Sequence, residues 1–371
     1  MTDFAKYRMV SFSDSVVDVS HGNARIPQSD FHHSGELAIV DQGQSLIAGY
    51  TDDVSMQVNQ SLPLIVFGDH TRIFKYIDFP FAMGADGIKI LKAKDDFNAK
   101  FLYYYFQYHG VLNAGYSRHF KFLKEMQIPL FSMEDQEHVV AILDRADAIC
   151  AKRRQLLAGY DELRRSVFDA MFAKGHWHNV RSGVLMPEMR NGLSPSRGGA
   201  IQAQVLTLSA ITQGNFDATA VKAGTFDVVP PTDKRVTSCD FMMCRGNGNK
   251  ALVGAGVYSD VDRMDLVFPD TVIAGKVDTT RVLMPYLAMI WNSKAIRGQI
   301  ERLARTTNGT YKVNQQALSG VEIPLPPLSL QQEFARRVEA IAAARRKVER
   351  ALALDDELFA SLQSRAFRGE L

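Results

Sequence analysis

The residues able to do chemistry can be sorted by what each reaction demands. Methyl transfer to a base amine would call for an acid or amide, two prolines and an aromatic ring in succession. The nearest string, Val229-Pro230-Pro231-Thr232, has neither the acid nor the aromatic, and no glycine-rich turn follows a strand in a way that suits a methyl donor. Metal-dependent strand cleavage would call for an Asp/Glu-x-Lys tripeptide, and the chain has none. The nearest approach to a phosphate-cradling nucleotide loop is Arg245-Gly246-Asn247-Gly248-Asn249-Lys250-Ala251, without Gly-Lys-Ser/Thr. Cys239 and Cys244 form one pair without a matched second pair, so buried cysteine is the simpler reading than zinc. His32-His33 and His176 with His178 read as loop residues. No catalytic residue and no metal ligand is assigned.

What remains are loops that mix cations, amides and aromatic rings. Arg118, His119, Phe120, Lys121 and Lys124 form one such group, and Asn308, Tyr311, Lys312 and Asn314 another. Arg245, Asn247, Asn249 and Lys250 form a third, and His70, Arg72 and Lys75 a cationic strand edge. These are the side chains that position a nucleic-acid duplex through its phosphates and read base edges: arginine matches guanine O6/N7, asparagine adenine N6/N7. A net charge of +2 is too small to indicate nucleic acid by itself.

Loops need elements to position them, and here the sequence repeats. Ile128-Pro129-Leu130 is followed by Ser132-Met133-Glu134-Asp135-Gln136-Glu137. About 195 residues later, Ile323-Pro324-Leu325-Pro326-Pro327 is followed by Ser329-Leu330-Gln331-Gln332-Glu333. Asp161-Glu162-Leu163 and Asp356-Glu357-Leu358 keep that separation, as do Phe172 and Phe367. In each copy the proline ends an extended segment. Ser132 with Asp135, and Ser329 with Gln332, then have the spacing of a helix-capping box or its near relative.

The apolar steps that follow alternate three and four. They are Val139, Ile142, Ala146, Ile149, Arg153, Leu156, Tyr160, Leu163 and Val167, then Phe334, Val338, Ile341, Arg345, Val348, Leu352, Asp355, Phe359 and Leu362. A seven-residue repeat held this long is the seam of a coiled coil. Each helix would run for about 40 residues, roughly 60 Å. One lies mid-chain and the other at the end, so antiparallel pairing is expected.

Ahead of each helix lie short apolar runs broken by Gly, Pro and Asp, which predict strands at 35–39, 61–67, 72–77 and 87–91, then at 203–209, 240–244, 251–258, 266–268 and 271–274. Helices are predicted at 99–108 and 284–300. The fold class is α+β: two α/β domains at 1–131 and 176–328, each followed by a long helix at 132–175 and 329–371, as an internal duplication with pseudo-twofold symmetry. The 46% hydrophobic and 23% charged content is that of a globular protein. Three cysteines, no run of eighteen apolar residues and no leader pattern behind Met1 lead us to expect a cytoplasmic protein without a membrane partner.

The order globule, helix, globule, helix, with Ile-Pro-Leu-Pro-Pro-Leu-Ser-Leu-Gln-Gln-Glu at 323–333, closely resembles the specificity subunits of type I restriction–modification enzymes over essentially the whole chain. Phe241–Gly248 and Thr306–Lys312 look like landmarks of that family's second recognition domain, and Leu64–Arg72 and Ser117–Lys121 hold equivalent places in the first. One departure is Ile128-Pro129-Leu130-Phe131, which lacks the second pair of prolines.

The resemblance implies that each globule is a target recognition domain reading one half of a bipartite site in double-stranded DNA. It implies that the helices set the gap and dock two methyltransferase subunits. Those partners would bring S-adenosylmethionine and methylate adenine, and two restriction subunits could join for cleavage with ATP and Mg. This chain would hold no cofactor. Two other classes stay open at this point. A scaffold working through its coiled coil would show no salt-dependent DNA affinity, and an unfamiliar enzyme around Cys239 and Cys244 would bind metal or turn over alone.

Overall fold

The computed structural model describes residues 7–84, 87–113, 115, 117–307 and 309–371. They form two compact units, the first discontinuous in sequence, Met1–Leu156 with Val348–Leu371, and the second continuous, Leu157–Lys347. Each of two 40-residue helices, Met133–Phe172 and Leu328–Phe367, contributes one part to each unit. The compact units therefore do not follow the chain-order division into globules and helices.

In the first unit the run Leu64–Gly68 is a strand buried on both faces. Ile65 and Phe67 enter one core with Phe74, Leu91 and the aromatic helix Ala99–His109; Leu64 and Val66 enter a second with Phe81, Met83, Ile88 and Ile90. This two-sided burial is why the sequence there is continuously apolar rather than alternating. The strand lies in the sheet Val16–Asp18, Ile88–Ala93, Leu64–Gly68, Phe74–Ile77, in that spatial order. A second sheet runs Arg25–Ile26, Phe81–Gly84, Leu37–Val40, Gly49–Thr51, with Phe81–Gly84 parallel to Leu37–Val40.

The second unit has the strand order of the first sheet and, in its second sheet, a hairpin with a parallel neighbour. The edge strand differs: Arg25–Ile26 is parallel and precedes its hairpin, while Arg235–Val236 is antiparallel and follows its own. Its first sheet runs Glu188–Asn191, Val272–Lys276, Asp240–Cys244, Gly256–Tyr258. Its second runs Val221–Phe226, Ile201–Leu206, Arg263–Val267, Arg235–Val236, again with a hairpin and one parallel neighbour. Phe241 and Met243 face one core and Met242 and Cys244 the other. A three-stranded sheet, Gly246–Asn247, Thr310–Lys312, Arg305–Thr307, has no counterpart among the described residues of the first unit. The helix expected at 284–300 is two, Met284–Trp291 and Lys294–Leu303. Asn292 breaks it by exchanging hydrogen bonds with the backbone of Gly256, and the Ser293 side chain caps the second piece.

The Ile-Pro-Leu segments are short edge strands: Gln127–Leu130 pairs with Arg8–Ser11, and Glu322–Pro324 with Asn179–Arg181. One buried glutamine then anchors each long helix. The Gln136 Oε1 accepts from the Asn98 amide at 2.8 Å while its Nε2 donates to Asp96 and Phe131 carbonyls at 2.9 and 3.0 Å. Gln331 does the same with the Leu283 amide (2.9 Å) and the Arg281 and Pro326 carbonyls (3.2 and 2.9 Å). Ser132 caps the first helix by accepting from the Asp135 amide. Ser329 is not a cap: the second helix begins at Leu328, and Pro327 offers its carbonyl to Leu330 and Gln331.

Within each unit the two helices run in opposite directions. In the first, Val139 and Leu143 share a core with Phe359, Leu362 and Phe367, while Arg153 pairs with Asp355, and Arg154 with Asp356 at 2.6 Å. In the second, Phe168 and Phe172 meet Phe334, and Arg345 pairs with Asp161 at 2.9 Å. The shielded positions of the second helix include Phe334, Val338, Ile341, Val348, Leu352, Phe359 and Leu362. In the first helix, Val139 is buried and Ile142 and Tyr160 are half-buried, but Ile149, Leu156 and Leu163 are 48%, 56% and 46% exposed. This corrects the expected stripe. Leu143 is fully buried, and a seven-residue repeat carried from it passes through Cys150, Leu157 and Arg164, one position beyond the expected Ile142, Ile149, Leu156 and Leu163. The alternate positions Val139, Ala146, Arg153, Tyr160 and Val167 are shielded as expected. Apolarity alone therefore misplaces every second position of the stripe by one residue.

Candidate nucleic-acid interface

In each unit two loops distant in sequence are brought together at the end of the doubly buried strand. In the first, the turn after Leu64–Gly68 closes with the Arg72 amide donating to the Gly68 carbonyl at 2.7 Å. The Thr71 hydroxyl sits where a Cβ on Gly68 would be, 2.1 Å away, so only glycine fits. Arg72 takes a left-handed backbone (φ 62°), a strained state for a non-glycine residue, and its Nη1 donates to the Val111 carbonyl at 3.4 Å. Gln42 holds the same turn, accepting from the His70 amide at 3.3 Å and the Thr71 hydroxyl at 2.6 Å.

Buried Asp69 ties in the second loop. Its carbonyl accepts from the His119 amide and lies 2.9 Å from His119 Nδ1, and its carboxylate accepts from the Phe120 amide at 2.7 Å. Arg118, Lys121 and Lys124 are left on the surface, with Lys121 over the Phe122 ring and Lys124 and Lys89 over Phe120.

Three expected contacts are corrected. Lys75 is only 4% exposed and donates to the carbonyls of Asp41 (2.7 Å) and Ser45 (2.5 Å). Burial lowers its pKa, and the nearby Asp41 carboxylate opposes that. His119 is 1% exposed, and Phe120 packs against Phe12 and Phe67. All three support the loop from beneath and cannot reach a duplex.

In the second unit, Gly246–Asn247 pairs with Thr310–Lys312, so the loops expected at 245–250 and 308–314 form one surface. Asn308 lies outside the described residues. Arg245 is half-buried and its Nη1 donates to the Asp270 carbonyl at 3.1 Å. The asparagines do different work from that expected. Asn247 accepts from the Asn249 amide, Asn249 from the Ala251 amide and Asn314 from the Ala317 amide, at 2.8, 3.0 and 2.8 Å. A side-chain oxygen engaged in a local turn is unavailable for a two-point contact with adenine. Lys250 and Lys312 are exposed, and Lys250 lies 5.9 Å from the half-buried Tyr311 ring.

Sequence reasoning missed Lys89, Gln42, Asp69 and Arg305. Arg305, exposed and cross-strand from Lys312, was overlooked because it lies outside the loops of mixed type. Among the described residues, Arg118, Lys121, Lys124, Lys250, Arg305 and Lys312 take part in no ion pair.

The cysteines diverge. Cys239 is exposed, whereas Cys244 is buried and its thiol is pushed up to about 11 by that burial. Among the described residues no three His, Cys, Asp or Glu side chains gather as a metal site, and no helix is long and apolar enough to cross a membrane.

No family model matches the chain. In sequence it is similar to the type I restriction enzyme EcoKI specificity subunit of Escherichia coli (strain K12), 27% identical over 194 residues, which cover 50% of this chain and 41% of that protein. It is also similar to the type I restriction enzyme StySPI specificity subunit of Salmonella potsdam, 24% identical over 267 residues, 66% of this chain and 58% of the relative. The matched stretches thus span about two-fifths to three-fifths of these relatives. In fold the chain is similar to the type I restriction–modification S subunit from M. genitalium, with TM-score 0.56, 13% identity and coverage of 97% of this chain and 96% of that one. A chain from a structure of the assembly and conformational transition of the type I restriction–modification system gives TM-score 0.53 at 14% identity, covering 98% of both.

Proposed function

We propose that this chain is the non-catalytic specificity subunit of a type I restriction–modification complex. Each unit reads one half of a bipartite site in double-stranded DNA, and an antiparallel coiled coil sets the gap. The observation that carries this reading is the repeated placement: in two sheets of matching strand order, the end of the corresponding doubly buried strand gathers cations with no ion pair among the described residues. We read that repetition as an internal duplication. Exposed cations with no acidic partner gain most from phosphates, while the turns beneath them fix register on the duplex.

The helices supply the second half of the proposal. Arg154 and Asp356 lie one residue after the seam and pair along one flank. Ile149 and Leu156 of the first helix and Leu358 of the second lie one residue before it, exposed on the other flank. An apolar flank opposite a charged one suits a protein partner. We assign it to methyltransferase subunits, two per complex, which bring S-adenosylmethionine and methylate adenine. Restriction subunits with ATP and Mg complete the cleaving form. The test is duplex binding by the chain purified with its methyltransferase partners. Selective, salt-sensitive binding to one bipartite sequence is expected, and equal affinity for all duplexes would overturn the proposal.

A further inference from the structure

The three-stranded sheet found in the second unit has two unlike faces. Directly paired residues share a face, so Gly246, Lys312 and Arg305 form one row, and Asn247, Tyr311 and Thr306 the row behind it. In the first row a Cβ on Gly246 would lie 3.1 Å from the Lys312 side chain, so the lysine runs over the glycine. That leaves Arg305 and Lys312 exposed beside one another, directly cross-strand. Like charges in that position cost stability. The local sequence does little to offset them: from Lys294 to Ser319 the chain has five cations and a single acid, Glu301, and neither Arg305 nor Lys312 has an ion-pair partner among the described residues. Gly309, just ahead of strand Thr310–Lys312, takes φ 73°, a left-handed backbone suited to glycine.

A short, cationic, two-stranded ribbon is one of the two elements that fit the major groove of B-DNA. We infer that strands Arg305–Thr307 and Thr310–Lys312, braced on one side by Gly246–Asn247, serve as such a ribbon, with Arg305 and Lys312 together gripping the phosphates of one groove wall. The first unit has no corresponding ribbon among its described residues, so the two halves of the site are gripped by different devices. The inference rests on the DNA-reading proposal above and adds to it Arg305 as a positioning residue.

The test uses the full chain co-purified with its methyltransferase subunits, comparing Arg305→Gln, Lys312→Gln and Lys121→Gln. The first two should each weaken binding several-fold on specific and unrelated duplexes alike and lower the slope of log affinity against log salt by about one. Their unfolding temperature should stay level or rise, because the repulsion is gone. If both leave affinity and slope unchanged while Lys121→Gln reduces them, the ribbon is overturned and the DNA-reading proposal stands. If the parent complex itself shows no sequence-selective binding, both fall.

Discussion

Lys75 donates to the Asp41 and Ser45 carbonyls from inside the first unit, whereas Lys121 stands on its surface over the Phe122 ring. Identical charge in the sequence thus divides into a structural and a solvent-facing cation. Lys75→Met should lower unfolding free energy by about 1–3 kcal/mol, the cost of leaving buried acceptors unsatisfied, and leave the salt dependence of duplex binding untouched. Lys121→Gln should do the reverse, with stability within about 0.5 kcal/mol of the parent. Denaturant unfolding and a salt titration on both variants decide it. Residue type alone marks the loops in which such cations gather. It cannot tell which one turns inward, because that depends on the carbonyls of Asp41 and Ser45, 34 and 30 positions away in sequence. The asparagines of 245–250 mislead for a related reason, since a turn-forming amide and a base-reading amide have the same letter.

At the scale of elements, the long helices were legible because their entry motif occurs twice, and the central strands because their apolar runs are short and uninterrupted. Strands Gly49–Thr51, Phe81–Gly84 and Val221–Phe226 were not, being short or rich in polar and small residues and held mainly by their neighbours. Every second position of the first helix's stripe slipped by one because Ile149 and Leu163 are more apolar than Cys150 and Arg164, and Leu156 and Leu157 are the same residue type. That slip carries a prediction. Leu143→Ala should cost about 2–5 kcal/mol as a buried-leucine truncation. Ile149→Ala and Leu156→Ala should change the chain's own stability by no more than about 0.5 kcal/mol yet weaken assembly with methyltransferase subunits. Unfolding curves set beside analytical ultracentrifugation of the mixed subunits separate the two effects. Loss of stability at Ile149 without loss of assembly would argue that the residue packs within the helix pair.

For the whole molecule, the account rests on two readers and a spacer. Replacing the second reader with that of a related chain should alter one half of the recognised site and leave the other. Inserting about two helical turns at matched points in both helices should lengthen the gap by roughly three base pairs, from a rise of ~1.5 Å per residue and ~3.4 Å per base pair. The most direct measurement is the map of methylated adenines in DNA from cells carrying this chain with its methyltransferase partners. Two short, dissimilar sequence elements separated by one constant unread interval are predicted. A single uninterrupted motif, or methylation unchanged when this chain is deleted, would contradict the account.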